Sequence, residues 1–230
     1  MAAARAAVSG ALRAVLVDAA GTLLEPARPV AAVYREAAAR HGAPDVSEAD
    51  ILAGYRRAYS RPYGKSRIRY VGDGREFWRG VVAEAVQSDD EKLFEDLFGY
   101  YGRPEAWKLL DGSAAAIRGL REAGYKTCIV SNFDTRLRPL LQEMGVDTLF
   151  DAIVVSAEVG AEKPNPVIFE KAFQLLDVEP AAAVHIGDDR RNDLFGARDA
   201  GCHALLMGAD LTAWDDALDE VRALDATLSG

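Results

Sequence analysis

Residues 14–23 read Ala-Val-Leu-Val-Asp-Ala-Ala-Gly-Thr-Leu, and this stretch decides the fold. A short apolar run, Ala14 to Val17, ends directly in the carboxylate of Asp18, and Gly21 follows three residues later. Such a run is typical of a buried parallel strand, and open α/β sheets bind ligands at the carboxyl ends of their strands. Asp18 is therefore a candidate nucleophile or metal ligand. Alone the pattern is weak, because strand ends often carry a capping aspartate beside a glycine turn.

Two further segments place polar side chains at the end of a strand or the start of a helix. The β-rich run that begins at Lys126 ends in Ser131 and Asn132, and the backbone amides there suit an oxyanion or phosphate at a helix N-terminus. Lys163 comes directly before a Pro-x-Pro sequence that opens a predicted helix. Proline at a helix start is routine, so the lysine is the functional candidate.

A cluster of acids follows the next apolar run, residues 183–187, at a predicted strand-to-helix turn. The acids are Asp188, Asp189 and Asp193. Gathered near Asp18, with Lys163 as the opposing charge, they would raise carboxylate pKa values and cost stability unless a divalent cation lay among them. Hard oxygen ligands with room for water and phosphate oxygens favour Mg²⁺. The alternative is that the second or third of these acids only caps the following helix.

These segments together resemble the four signature motifs of the haloacid dehalogenase superfamily over nearly the whole chain after Leu12. The closer match is to the group called haloacid dehalogenase-like hydrolase domain-containing protein 3, particularly its plant type. That match is carried by residues 131–137, 156–159, 162–166 and 187–193. The resemblance implies an α/β fold, with a Rossmann-like doubly wound parallel sheet as the core and an inserted helical cap.

The resemblance also implies roles for individual residues. They are catalysis for Asp18 and Lys163, phosphate binding for Ser131, Asn132 and Lys163, and Mg²⁺ ligation for Asp18, the backbone carbonyl of Ala20, Asp188 and Asp193. In phosphatases of the superfamily, a second aspartate two residues after the nucleophile protonates the leaving oxygen and then activates water, and here that position is Ala20. Because a positioned general acid contributes about 10²–10⁴-fold, hydrolysis of ordinary alkyl phosphate esters should be slow.

Several functions remain open for a chain with alanine at this position. The leading hypothesis is a weak or specialised Mg²⁺-dependent phosphatase that acts on a small phosphorylated metabolite whose leaving group needs little protonation. A phosphonatase-like reaction would use an imine-forming lysine, Lys65, although its flanking residues match that branch poorly. Dehalogenation of a 2-haloacid also lacks the second aspartate, but the acid pair at 188–189 favours a magnesium site instead. The remaining alternative is a non-catalytic protein that binds a phosphate or metabolite.

The spacing of the motifs predicts how the chain is organised. Between Asp18 and Ser131 the sequence shows helical periodicity and no convincing strand. The predicted helices of this segment are residues 29–40, 47–59, 75–86 and 90–100. Strands near Arg13, Lys126, Ala152, Ala182 and His203 are expected to form a five-stranded parallel sheet. We predict a flexible tail over residues 1–10, a core over 11–26 and 109–230, and a helical cap over 27–108.

One stretch of the predicted cap, residues 55–70, interleaves basic residues with tyrosines in an otherwise acidic protein. If it faces the cleft, it would recognise an anionic part of the substrate through charge-assisted and cation–π contacts. The candidates for this specificity are Arg57, Arg61, Tyr63 and Lys65. The alternatives are a solvated, ion-paired helix face and a subunit interface.

Composition limits the classes of partner. Half of the 230 residues are hydrophobic, which is enough to bury a core, and the formal net charge of −9 argues against nucleic-acid and anionic-membrane partners. No apolar run approaches the ~20 residues that span a bilayer, so we expect a cytoplasmic protein. We also expect it to be a monomer or homodimer that acts on a small-molecule substrate. An organellar location is the alternative if the alanine-rich N-terminus is a residual transit segment. Cys128 and Cys202 are expected as buried free thiols, and His185 as a buried hydrogen-bonding residue.

Overall fold

The computed structural model describes residues 10–61 and 68–230. The strands are β1 (Ala14–Val17), β2 (Leu24–Pro26), β3 (Trp107–Leu109), β4 (Lys126–Ser131), β5 (Ala152–Val155), β6 (Ala183–Gly187) and β7 (His203–Leu206). The α-helices are α1 (Val30–Arg40), α2 (Glu48–Tyr59), α3 (Arg75–Val86), α4 (Glu91–Tyr100), α5 (Ser113–Glu122), α6 (Leu137–Glu143), α7 (Ser156–Val159), α8 (Pro166–Leu176), α9 (Gly196–Asp199) and α10 (Ala217–Ser229). A π-helical segment, Arg190–Phe195, leads into α9. The predicted tail lies outside the described residues, except for Gly10.

The central sheet has five parallel strands in the order β5-β4-β1-β6-β7. On β1, Leu16 pairs with Cys128 of β4 on one side and with His185 of β6 on the other. The carboxyl ends of these three strands therefore lie at one edge of the sheet, where Asp18 follows β1 directly. The predicted α/β class and the five predicted strand positions are confirmed.

Alternating residues of β1 are buried on opposite faces of the sheet. Val15 and Val17 join a core formed with α5, α6 and α10, whereas Ala14 and Leu16 join a second core formed with α8 and α9. All four side chains are completely buried. Because burial of an aliphatic side chain is worth about 1.5–3 kcal/mol, β1 is a firmly held base for the aspartate that follows it. Helices on both faces make the sheet doubly wound.

The helices α1 to α4 lie between β2 and β3 and pack around a core of their own, and we call residues 30–100 the helical insert. Tyr34, Val82 and Leu97 are among its buried residues. The Ser47 side chain accepts a hydrogen bond from Asp50 N (3.2 Å), which explains why α2 begins where the sequence predicted. All four predicted helices of this segment are confirmed to within one residue at their start.

The expectation that no strand lies between Asp18 and Ser131 is wrong. Strands β2 and β3 form an antiparallel pair, with Leu24 opposite Leu109 and Pro26 opposite Trp107. Each strand has only three residues, which is too short for an alternating pattern to be recognised in a sequence. The pair places the two ends of the helical insert side by side, next to the turn that follows β1.

The two cysteines are buried and free, as predicted. Burial raises the pKa of both thiols, that of Cys202 to about 12. Within the described ranges, no helix is both long enough and apolar enough to cross a membrane.

Candidate active site

The turn after β1 delivers the predicted nucleophile to the edge of the sheet. Asp18 N donates to Ile186 O (2.9 Å), which continues the pairing of β1 with β6 by one residue. Gly21 has a φ of +93°, and a Cβ at this position would lie 2.6 Å from Asp188 Oδ2. Only glycine combines this backbone conformation with such a close approach, so Gly21 lets the turn lie against the acidic cluster. Ala20, two residues after the nucleophile, is exposed.

Lys163 bridges two carboxylates inside the protein. Its Nζ lies 2.6 Å from Asp18 Oδ1 and 2.6 Å from Asp193 Oδ1, and only 2% of the lysine side chain is exposed. Asn132 fixes the backbone at this point, because its Oδ1 accepts from Lys163 N (2.7 Å) and its Nδ2 donates to Lys163 O (3.0 Å). Strand β4 thereby positions the lysine that stabilises the carboxylate following β1.

Asp193 is held on both of its carboxylate oxygens. Besides the lysine, Oδ1 receives a bond from His185 Nε2 (2.9 Å), and Oδ2 accepts from Asp189 N (3.0 Å). A Cβ on Gly187 would overlap the Asp193 carboxyl group, so the end of β6 is shaped to admit this side chain. Asp189 instead caps the segment that follows it, where its Oδ1 accepts two backbone N–H groups. The helix-capping alternative thus describes Asp189, and Asp193 belongs to the cluster.

His185 supports the cluster from the interior of β6. Its ring is completely buried and donates to Asp193, while Nδ1 has no hydrogen-bond partner among the described residues. Burial lowers the pKa of His185, which favours the neutral ring near pH 7. Because the ionised Asp193 carboxylate can only accept a hydrogen bond, the proton is assigned to Nε2. The expected buried, hydrogen-bonded histidine is confirmed.

Thr22 is a site residue that sequence reasoning did not identify. It is completely buried, and its Oγ1 donates to Asp188 Oδ1 (3.2 Å). Its backbone carbonyl accepts from Trp214 Nε1 (2.8 Å), which ties the turn to the segment before α10. The signal was the Gly-Thr pair that follows Asp18, because a hydroxyl in this turn faces the end of β6.

The charges of the cluster shift the pKa values of its members in different directions. Burial raises the pKa of Asp18 to about 6, against the opposing effect of Lys163. Burial and the neighbouring Asp193 raise the pKa of Asp188. Burial alone would raise the pKa of Asp193, but Lys163 and His185 hold this pKa below its ordinary value. Burial alone would lower the pKa of Lys163, but the negative charges of Asp18 and Asp193 raise this pKa above its ordinary value. Asp18 and Asp193 therefore share one ammonium group, and Asp188 adds a third carboxylate close to them.

The cluster fits the donor set of a divalent cation. Asp18, Asp188 and Asp193 each offer a carboxylate oxygen, and these oxygens all lie within 4.8 Å of one another. Hard oxygen donors of this kind suit Mg²⁺, and a cation would relieve the excess negative charge. Ala20 lies in the same turn as Asp18, and its carbonyl stays a predicted ligand.

The other predicted site residues lie in different surroundings. Ser131, 1% exposed, ends β4 beside β1, and its phosphate-binding role stays a prediction, as does that of Asn132. Arg57 Nε lies 3.0 Å from Glu84 Oε1, and Arg61 pairs with the same carboxylate, so both guanidinium groups form ion pairs on an exposed face. Tyr63 and Lys65 lie outside the described residues.

A cavity of about 280 Å³ lies between the helical insert and the edge of the sheet. From the core, Ala20, Gly21 and Asn132 line it, and from the insert most of its lining consists of aromatic rings. The cavity therefore extends from the turn that carries Asp18 into the insert. Neither Arg57 nor Arg61 is part of its lining.

Known proteins resemble this chain in sequence and in fold. A family model described as haloacid dehalogenase-like hydrolase matches residues 12–201. Haloacid dehalogenase-like hydrolase domain-containing protein 3 of Bos taurus is 33% identical over 210 residues, which cover 85% of this chain and 82% of the relative. Glyceraldehyde 3-phosphate phosphatase of Methanothermobacter thermautotrophicus is 36% identical over 110 residues, 47% of this chain and 49% of that one. The crystal structure of a HAD phosphatase from Thermococcus onnurineus has a TM-score of 0.65 at 23% identity and covers 92% of this chain and 98% of its own. This last likeness is one of fold.

Proposed function

Because this chain belongs to the haloacid dehalogenase-like hydrolase family, we propose that it is a Mg²⁺-dependent phosphohydrolase of small phosphorylated metabolites with Asp18 as its nucleophile. The observation that carries the proposal is the buried contact between Lys163 Nζ and Asp18 Oδ1 (2.6 Å) within a cluster of three carboxylates. A lysine so placed keeps one carboxylate oxygen oriented and leaves the other for attack. The same ammonium group lies where a phosphoryl oxygen would need a positive partner.

The proposed reaction has two displacements at phosphorus. In the first, an oxygen of Asp18 bonds to phosphorus, and the bond from phosphorus to the ester oxygen breaks. The ester oxygen leaves with the bonding electron pair and takes a proton from water or from the substrate to form the alcohol. In the second, water attacks the phosphorylated carboxylate, which releases inorganic phosphate and a proton and restores Asp18. Bound Mg²⁺ would supply Lewis-acid stabilisation of the charge on the phosphoryl oxygens.

The supporting residues have separate tasks in this proposal. Asp18, Asp188, Asp193 and the Ala20 carbonyl would hold the ion, and Ser131, Asn132 and Lys163 would hold the phosphate. His185 and Thr22 act at one remove, because they orient Asp193 and Asp188 through hydrogen bonds (2.9 and 3.2 Å). Buried partners of this kind keep ligand oxygens in one arrangement.

Ala20 limits which esters can react. A methyl group cannot donate a proton, so the leaving oxygen must take its proton from water or from the substrate. Loss of a positioned acid costs about 10²–10⁴-fold for alcohols that leave poorly, and much less for acyl phosphates and phenols. The same alanine favours one second candidate, a non-catalytic protein that retains phosphate and metal binding.

The proposal is tested with the full-length protein and three esters: acetyl phosphate, an aryl phosphate and an alkyl phosphate, each with Mg²⁺ and with excess EDTA. We expect turnover of the first two that EDTA removes and that Asp18→Asn abolishes. Asp89→Asn changes an exposed aspartate in the same way and should leave the rate unchanged.

The outcomes separate the candidates. Full activity in Asp18→Asn would refute the nucleophile. Silence with every ester, together with retained binding of inorganic phosphate, would establish the non-catalytic alternative. Chloride release from a 2-chloroacid that is insensitive to EDTA would instead show a dehalogenase.

A further inference from the structure

We infer that the alcohol half of the substrate is an uncharged, flat, apolar group, such as an aromatic or fused-ring phenol or alcohol, bound in the cavity between the helical insert and the sheet. The inference rests on the proposed phosphohydrolase function and adds to it the class of substrate. It follows from where the cavity begins, what its walls are made of and which of its polar groups are already bonded.

The cavity begins at the reactive turn. Ala20 and Gly21 line it, and so does Asn132, whose amide holds the backbone of Lys163. A phosphate placed beside Asp18 and Lys163 would therefore have its alcohol half directed into this space. Its volume of about 280 Å³ is sufficient for a ring system and small for a long or branched chain.

The walls on the insert side are stacked rings. Tyr55 and Tyr59 lie parallel, with ring centroids 5.7 Å apart and an interplanar angle of 10°. Tyr70 and Trp78 are stacked as well, at 5.8 Å and 23°. All four rings line the cavity. Aromatic walls in offset stacks favour a further flat ring, because its positive edge and negative face find complementary partners.

The polar atoms of these walls are largely bonded within the protein. Trp78 Nε1 donates to Asp134 Oδ2 (2.9 Å), and the hydroxyls of Tyr59 and Tyr70 lie 3.2 Å apart in a hydrogen bond. A sugar or polyol would bury hydroxyl groups with few partners, which is costly. The Tyr101 hydroxyl is buried with no hydrogen-bond partner among the described residues, so one polar substituent on the ligand is compatible with the lining.

The charge of the lining excludes a second ionic group on the substrate. Among the described residues that line the cavity, Arg136 is the charged one. Its guanidinium donates to both oxygens of the buried Asp134 (2.9 and 2.8 Å) and to Phe98 O (2.8 Å). Its Nε, Nη1 and Nη2 atoms each donate within the protein, so among the described lining residues a substrate carboxylate would meet no cation that is not already bonded. No carboxylate among the described lining residues would accompany a substrate cation either.

Ala20 links the cavity to the chemistry. It removes the acid that an alkyl ester needs, and its methyl group continues the apolar wall up to the turn of Asp18. Phenols are alcohols that are both flat and able to leave with little protonation. The absence of an acid at Ala20 and the apolar wall that Ala20 provides therefore both favour aryl esters.

The experiment compares kcat/KM of the Mg²⁺-loaded protein across several esters. The two aryl esters, 2-naphthyl phosphate and phenyl phosphate, have leaving groups of similar acidity, so their comparison separates binding from reactivity. We expect 2-naphthyl phosphate to exceed phenyl phosphate by roughly tenfold or more, mainly through KM, because the second ring removes more apolar surface from water. Phosphoglycolate, glyceraldehyde 3-phosphate and phosphocholine should all be poorer substrates than phenyl phosphate.

A variant tests whether the cavity is responsible. Val30 lines the cavity at the start of α1, and Val30→Phe should reduce the preference for the naphthyl ester to less than twofold. Val167→Phe makes the same change at an exposed position on α8, outside the lining, and should keep the preference. Circular dichroism checks the fold of both variants, and the wild-type substrate series remains decisive if Val30→Phe is unfolded.

The failures are distinguishable. Absence of turnover with every ester, including acetyl phosphate, would count against the proposed function. In that case, 2-naphthol is titrated and tryptophan fluorescence is followed, since Trp78 and Trp107 line the cavity. Saturable quenching that Val30→Phe removes would support the inferred ligand class, and its absence would overturn it. Turnover of acetyl phosphate with equal rates for naphthyl and phenyl esters, or with phosphoglycolate or phosphocholine preferred, would also overturn it and leave the proposed function standing.

Discussion

Asp134→Asn should destabilise the protein and loosen the helical insert. The Asp134 carboxylate is completely buried and accepts four hydrogen bonds, from Trp78 Nε1 on α3 (2.9 Å) and from Arg136 N, Nε and Nη2 (3.0, 2.9 and 2.8 Å). Arg136 in turn donates to Phe98 O on α4 and lies 3.7 Å from the centroid of that ring. One carboxylate thus joins the loop after β4 to two helices of the insert.

The size of the effect follows from the donors that lose their acceptor. Asparagine keeps the shape but replaces one oxygen with an NH₂ group, so two of the four donors face another donor. Each buried donor left without a partner costs about 1–3 kcal/mol, and the 17% exposure of the Arg136 side chain lets water recover part of the loss. We expect a decrease in the free energy of unfolding of about 2–4 kcal/mol, or roughly 4–16 °C in Tm.

The assay is urea unfolding followed by circular dichroism and by tryptophan fluorescence. Asp89→Asn is the matched control, because Asp89 is exposed, and its midpoint should equal that of wild type. The fluorescence midpoint of Asp134→Asn should fall below the dichroism midpoint if the insert separates first. A loss below 1 kcal/mol would refute the view that this carboxylate holds the insert in place.

Four further outcomes are expected. Ala20→Asp should raise kcat for an alkyl phosphate by up to about 10²-fold, whereas Ala20→Asn, which cannot protonate the leaving group, should not; equal rates would show that the acid is not limiting. Gly187→Ala should weaken Mg²⁺ binding measured by calorimetry, because its Cβ would overlap a cluster carboxylate, and Gly80→Ala, which meets nothing within 4 Å on α3, should be neutral. EDTA should lower Tm and excess Mg²⁺ should restore it, since an ion that binds only the folded state stabilises it; an unchanged Tm would argue against the site. At pH 8 a thiol-specific disulfide reagent should modify Cys128 and Cys202 slowly in the native protein and fully after unfolding, because burial raises both thiol pKa values; fast native reaction would contradict their burial.

The sequence was sufficient to predict the strands and helices whose buried residues form a long or regular apolar pattern. The β1 run and the runs that begin at Lys126 and Ala183 could be recognised because a strand covered on both faces has a largely apolar sequence. Strands β2 and β3 could not, because three residues carry no periodicity and their pairing joins segments more than 80 residues apart. A local sequence pattern predicts where a strand lies, but it does not predict which distant segment that strand pairs with.

The part of the site that was predictable is the set of side chains that follow neighbouring strands, because the ends of those strands lie together. Asp18, Lys163 and Asp193 meet because their segments end at the same edge of one sheet. Which carboxylates Thr22 and His185 bond was not predictable, because it depends on the register that sets β1 against β6. A shift of one residue would direct the His185 ring to the other face of the sheet, and no feature of the sequence alone excludes that shift.

The β2–β3 pair has a consequence for how such a protein diversifies. Since the chain departs at Pro26 and returns at Trp107, directly opposite, the intervening residues join the core covalently at one place. A change in the length or number of these helices therefore need not alter the backbone path of the sheet, provided that the contacts of Trp78 and Phe98 with the loop after β4 are kept or replaced. Selection can therefore retune what is recognised while the bond-breaking apparatus is inherited intact.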